Sequence, residues 1–136
     1  MKLLLYTLYK GIKGSQVWAH YYGSLEELRP ELTKRDIVIH SETEIGDGTA
    51  IENNVWIGSH NTIGNGVIFR EGSIVGDYVI IGEMTRIGKN AIVEDLTVIG
   101  RCCDIGENRI VKTKWIVPPN TNLLGNPAAK NKKRGK

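Results

Sequence analysis

Ile57-Gly58-Ser59-His60-Asn61-Thr62-Ile63-Gly64-Asn65-Gly66-Val67-Ile68-Phe69-Arg70-Glu71-Gly72-Ser73-Ile74-Val75-Gly76 places a large apolar residue at every sixth position. Counting outward in both directions gives Ile39, Ile45, Ile51, Ile57, Ile63, Phe69, Val75, Ile81, Ile87, Val93, Ile99, Ile105, Val111, Val117 and Leu123, all aliphatic except Phe69. The next residue is glycine at Gly46, Gly58, Gly64, Gly76, Gly82, Gly88, Gly100 and Gly106. The residue four after each apolar one is usually small or β-branched, as at Thr43, Thr49, Val55, Val67, Ser73, Val79, Thr85, Ala91, Thr97 and Cys103. A period of six fits neither an α-helix nor a hairpin meander.

It fits a coil of three short strands joined by tight corners, each strand pointing its aliphatic residue and a small partner inward. The corner needs residues that tolerate positive φ. The third residue after each aliphatic one supplies them, as Gly48, Asn54, Gly66, Gly72, Asn90, Asn108 and Asn120. Three hexads make one turn of eighteen residues, so residues eighteen apart stack at about 4.8 Å, the spacing of neighbouring strands. The expected fold is all-β: a parallel β-helix of about five coils, with a short N-terminal cap that includes helix. The expected division is a capping segment over 1–36, the β-helix over 37–128 and a basic tail over 129–136.

A chain of 136 residues with 40% hydrophobic content suffices for one cored domain and is short for two. The formal charge is +3, but Lys130, Lys132, Lys133, Arg134 and Lys136 crowd the last nine residues. Of the 18 Lys and Arg, 13 remain to face 15 Asp and Glu, so the body is mildly acidic. That distribution speaks against a nucleic-acid-binding face, which needs clustered cations on a folded surface. Cys102 and Cys103 are adjacent, a spacing that suits neither a disulfide framework nor a zinc knuckle, and a reducing, cytoplasmic setting is the expectation. Leu3-Leu4-Leu5 is too short for a signal peptide or a membrane span.

The exposed ends of a β-helix invite edge pairing, so a cap is expected. Leu4, Leu5, Leu8, Tyr9 and Ile12 sit at helical spacing, and Ser24-Leu25-Glu26-Glu27 is a capping-box start for a short helix that Pro30 closes. The rival reading is a basic amphipathic segment carrying Lys2, Lys10 and Lys13 along a surface.

Compared column by column, the corners differ. The second and third read mostly as turn chemistry, apart from Glu52 and Arg70, whereas the first carries Glu42, His60, Tyr78, Leu96 and Lys114 at its third position. His40, Ser41, Ser59 and Asp77 share that corner. Glu42 is expected one coil below His60, close enough to orient an imidazole acting as general base. Against this, histidine is among the residues enriched at positive φ, and a varied outer column also suits a subunit interface. His20, beside Tyr21 and Tyr22, reads as a packing or surface residue.

Ile110-Val111-Lys112-Thr113-Lys114-Trp115-Ile116-Val117-Pro118-Pro119-Asn120-Thr121, followed by Leu124-Gly125-Asn126-Pro127-Ala128-Ala129-Lys130, resembles the closing segment of hexapeptide-repeat acyltransferases. Val55-Trp56-Ile57-Gly58 is a further stretch common in that family. The resemblance implies a left-handed coil, against the usual right-handed crossover. It also implies acetyl-CoA as acyl donor, lying in a groove between prisms of a homotrimer, and a small hydroxyl or amine acceptor such as a sugar. Carried onto this chain, it makes Lys112, Lys114, Asn126, Ala128 and Lys130 candidate cofactor contacts, with Lys132 or Lys133 beside them. His60 would deprotonate the acceptor, Glu42 would orient the imidazole, and backbone amides would hold the tetrahedral oxyanion. Alternatively, Gly125-Asn126-Pro127 is only the turn that ends the prism.

One departure matters. Family acyltransferases commonly carry a long loop that interrupts the coils and helps build the acceptor site, and no loop breaks the six-residue count here. Two rival functions follow. A non-catalytic trimeric scaffold needs only an uninterrupted prism. A metal enzyme resembling γ-class carbonic anhydrases needs three histidines on one ion, and this chain has three in all, one of them outside the repeat. No metal site is expected.

Overall fold

The computed structural model describes residues 3–9 and 16–22 as backbone, and residues 30, 32–40 and 42–124 with their side chains. Residues 38–123 form a three-sided parallel β-solenoid of about five turns. Face I stacks Val38–Ile39, Trp56–Ile57, Ile74–Val75, Ile92–Val93 and Ile110–Val111. Face II stacks Glu44–Ile45, Thr62–Ile63, Ile80–Ile81, Val98–Ile99 and Ile116–Val117. Face III stacks Ala50–Ile51, Ile68–Phe69, Arg86–Ile87, Asp104–Ile105 and Asn122–Leu123. Partners lie eighteen residues apart throughout, as the period requires. Coil is tied to coil by backbone bonds such as Ile74 N–H to the Ala91 carbonyl at 2.9 Å and Ile80 N–H to the Thr97 carbonyl at 3.0 Å.

Each strand has two residues, so one points in and one out. The inward series from Ile39 to Val117 is at most 5% exposed, with Phe69 completely buried, and Leu123 closes the column partly covered. Each such aliphatic side chain contributes roughly 1.5–3 kcal/mol on burial. Outward residues differ by face: Val38, Trp56, Ile74, Ile92 and Ile110 on face I, Glu44, Thr62, Ile80, Val98 and Ile116 on face II, Ala50, Ile68, Arg86, Asp104 and Asn122 on face III.

Every sixth residue from Gly48 to Asn120 adopts a φ between 55° and 78°. The first corner lies between faces I and II, the second between II and III, the third between III and I. The third turns on Asn54, Gly72, Asn90 and Asn108, residue types suited to that region, whereas the first turns on His60, Tyr78, Leu96 and Lys114.

The first part of the N-terminal segment departs from its helical spacing. Leu3–Tyr9 and Gln16–Tyr22 form an antiparallel hairpin, and the first of these strands pairs in parallel with Ala50–Ile51, extending face III to seven strands. The short apolar run is compatible with either structure, and its β-branched and aromatic residues suit a strand once an open sheet edge is on offer. The short helical piece expected in the cap is present, and among the described residues helix is confined to residues 30 and 32–34, with Pro30 itself helical. Ile12, Ser24–Glu27, Lys10, Lys13 and the basic tail lie outside the described residues. Among the described residues no helix is long and apolar enough to cross a membrane.

Candidate functional site

The first corner is built by a ladder of turn bonds. Thr43 is buried, donates its hydroxyl to the Gly58 carbonyl at 2.6 Å and accepts the Asn61 N–H at 3.3 Å. Asn61, 1% exposed, donates Nδ2–H to the Gly76 carbonyl at 2.9 Å and accepts the Val79 N–H on Oδ1 at 2.7 Å. Three coils are thereby pinned behind the surface of this corner. On its outer side, Asp77 Oδ1 accepts the Ser59 N–H at 2.9 Å, and Asp95 Oδ1 accepts the Asp77 N–H at 2.8 Å.

His60 projects from this frame, exposed, with φ 59°. Its ring stacks on Tyr78 with centroids 4.7 Å apart and planes 11° from parallel, and Nδ1 lies 3.2 Å from Ser59 Oγ. Stack and hydrogen bond together fix the ring's plane. In the tautomer whose Nδ1–H donates to Ser59 Oγ, the lone pair is left on Nε2. Glu42 is exposed on the coil below, and among the described residues it makes no hydrogen bond or ion pair with His60. The groups that hold the imidazole are Ser59, the chain neighbour, and Tyr78 on the next coil.

His40 packs edge-on to Trp56, centroids 5.4 Å apart, and shares no contact with His60. Among the described residues no three His, Cys, Asp or Glu side chains converge on a metal position. The side chain of His20 and residue 41 lie outside the described residues.

Lys112 and Lys114 stand exposed on the last coil of the same corner. Three coils separate His60 from Lys114, about 14 Å at 4.8 Å each. On the coils between them an open depression of about 410 Å³ is lined by the apolar Ile74, Ile92 and Val93, by Gly76, and by Glu94, Asp95 and Thr113, and by neither His60 nor the lysines. Glu94 is held there by accepting both the N–H and the hydroxyl of Thr113, at 3.0 and 3.1 Å. The rim is acidic in the middle, so an anionic group would find its cations only at the last coil. Asn126, Ala128 and Lys130 lie outside the described residues.

Asn61 is the part of this site that the comparison of corners does not single out. It carried a signal nonetheless: it is an amide at a phase that from Thr43 to Cys103 is otherwise filled by small or β-branched residues.

Comparison with known proteins follows the fold. The family described as the GMPPB C-terminal domain matches residues 33–131. No curated protein matches the chain. Similar solved structures are acetyltransferases. Serine acetyltransferase isoform 3 from Entamoeba histolytica, in complex with cysteine, is 24% identical with a TM-score of 0.66, covering 73% of this chain and 38% of that one. The acetyltransferase domain of PglB from Neisseria gonorrhoeae FA1090 is 18% identical with a TM-score of 0.53, covering 74% of this chain and 64% of that one. The same domain in complex with acetyl coenzyme A gives 19% and 0.50, covering 68% and 53%. The chain thus spans less than two thirds of each of these solved chains.

Proposed function

The chain belongs to the GMPPB C-terminal domain family, and from that footing we propose that it is a β-helix that transfers an acyl group, acetyl in the first instance, from coenzyme A to a small hydroxyl or amine acceptor. The observation that carries the reading is the first corner, which sets a stacked, exposed imidazole and two exposed lysines on one edge of the prism, with an open depression on the coils between that is lined by neither. The likeness to the acetyltransferase domain solved with acetyl coenzyme A supports it at the level of fold.

In this reading the apolar floor at Ile74 and Ile92 takes the cofactor's uncharged arm, and Lys112 and Lys114, with Asn126, Ala128 and Lys130, take its phosphate end. Nε2 of His60 removes the acceptor's O–H or N–H proton as the oxygen or nitrogen attacks the thioester carbonyl. The carbon–sulfur bond then breaks, and the departing thiolate takes the proton back from the imidazolium. Ser59 and Tyr78 hold the ring, and Glu42 adds charge from the coil below rather than a hydrogen bond. The groove lies between neighbouring prisms of a homotrimer.

The test is release of free coenzyme A from acetyl-CoA across a panel of small amines and alcohols, with binding followed by calorimetry. His60→Asn, which keeps a residue suited to positive φ, is expected to lower kcat by about 10²–10⁴-fold with donor binding intact. Lys114→Ala is expected to weaken donor binding and spare kcat. Absence of acetyl-CoA binding, or full turnover by His60→Asn, overturns the reading.

A second reading, a non-catalytic assembly module, is favoured by the apolar outward column of face I. It predicts assembly without donor binding.

A further inference from the structure

We infer that the strand Gln16–Tyr22 is a self-pairing edge, to which the same strand of a second copy adds antiparallel about a two-fold axis through Ala19. The pairing lies at the base of the prism and uses none of the surfaces assigned to acyl transfer. Which backbone groups are open follows from the register. Ala50 donates its N–H to the Val67 carbonyl, one coil up, so the parallel bridge between Tyr6 and Ala50 is made by the N–H and carbonyl of Tyr6. Backbone groups alternate sides along a strand, so Leu5 and Thr7 turn theirs toward the second strand of the hairpin. Their partners there are His20 and Trp18, which turn inward in reply. Val17, Ala19 and Tyr21 are left with N–H and carbonyl turned to the outer edge, and among the described residues no strand pairs there.

Nothing in this edge is built to keep partners off. The strands of the prism are two residues long, whereas Gln16–Tyr22 has seven. Neither Leu3–Tyr9 nor Gln16–Tyr22 contains Lys, Arg, Asp, Glu, Pro or Gly, residues that guard an edge by charge, by a lost donor or by weak strand propensity. A second copy is the occupant because the edge complements itself. Ala19 is the midpoint of Gln16–Tyr22, and the outward residues Val17 and Tyr21 are placed symmetrically about it. An antiparallel copy in that register pairs Ala19 with Ala19 and Val17 with Tyr21, each facing pair exchanges two hydrogen bonds, and no residue of either strand overhangs. No like charges meet across it. A seven-residue edge is only about 24 Å long, so main-chain bonds rather than area carry the contact, and association depends on concentration. The two seven-stranded sheets become one, and the two prisms stand base to base.

The experiment is light scattering of the full chain from micromolar to millimolar concentration, with disulfide trapping in a Cys102→Ser background that removes the exposed native thiol. The parent is expected to reach twice the mass of Ala19→Pro, whatever assembly the prism faces make. Proline at this position removes, on both copies, an N–H that the hairpin does not use, and is expected to weaken pairing by about 10-fold or more. Ala19→Val keeps the N–H and is expected to pair as the parent does. Facing Cα atoms of a hydrogen-bonded pair lie about 5.5 Å apart, within disulfide reach. Ala19→Cys, which leaves the backbone bonds intact, is therefore expected to cross-link chains in pairs on mild oxidation. Val17→Cys, displaced along the strand from its own copy, is expected not to. A parent mass indifferent to Ala19→Pro across the whole range, or cross-linking as ready in Val17→Cys as in Ala19→Cys, overturns the inference.

Discussion

The first and third corners have the same backbone and opposite residue policies. Both turn at φ near 60°, where an L-residue with a Cβ is disfavoured by about 1–2 kcal/mol. The third corner meets that demand with Asn54, Gly72, Asn90 and Asn108, and the first ignores it with His60, Tyr78, Leu96 and Lys114. A solenoid whose coils are already held by backbone ladders and a buried aliphatic column tolerates several such positions. The second corner carries the same strain at Met84 and Cys102, but the first carries it on four successive coils, which points to side chains retained there for what they contact rather than for how they turn.

The comparison can be broken at its base. A Cβ built at Gly58, which is buried under the first corner, would press on Asp77 Oδ1 and come within 2.6 Å of the Gly76 carbonyl oxygen. Backbone cannot yield as a side chain does, so Gly58→Ala should destabilise by about 2–4 kcal/mol, the upper range for single substitutions, measured by urea unfolding. Asn61→Ala should follow at about 2–3 kcal/mol, because it leaves the Val79 N–H and the Gly76 carbonyl without their buried partner. A cost below 1 kcal/mol there would mean water replaces the amide and the first corner is less rigid than its bonds suggest.

A reciprocal exchange sharpens the comparison directly. Leu96→Asn should stabilise by about 1 kcal/mol, since it relieves a strained residue whose side chain is 48% exposed. Asn90→Leu, at the equivalent φ of the third corner, should destabilise by about the same amount. If both exchanges are neutral, the residue contrast carries no conformational cost, and the case for selection of the first corner's side chains weakens.

The positions of strain were legible from phase alone. Met84, Cys102 and Leu96 are poor turn formers by type, yet each stands on the six-residue count and each adopts positive φ. Contacts within the first corner were not. Counting by eighteen sets Glu42 beside His60, but it does not say which way an imidazole leans, and the ring found Ser59 and Tyr78 instead. The N-terminal segment shows the same limit from the other side. Leu4, Leu5 and Leu8 fit helical spacing, and only the free edge at Ala50–Ile51 makes the strand the better answer.

The sequence by itself determined the period, the inward column, the corner positions and the contrast among corners, because a repeat of six with stacking at eighteen leaves each residue one place to be. Tertiary structure decided the directions of exposed rings, the pinning of three coils by Asn61 and the hairpin's attachment to face III. Those depend on which free groups meet across coils, a matter of distance in space that no spacing along the chain records.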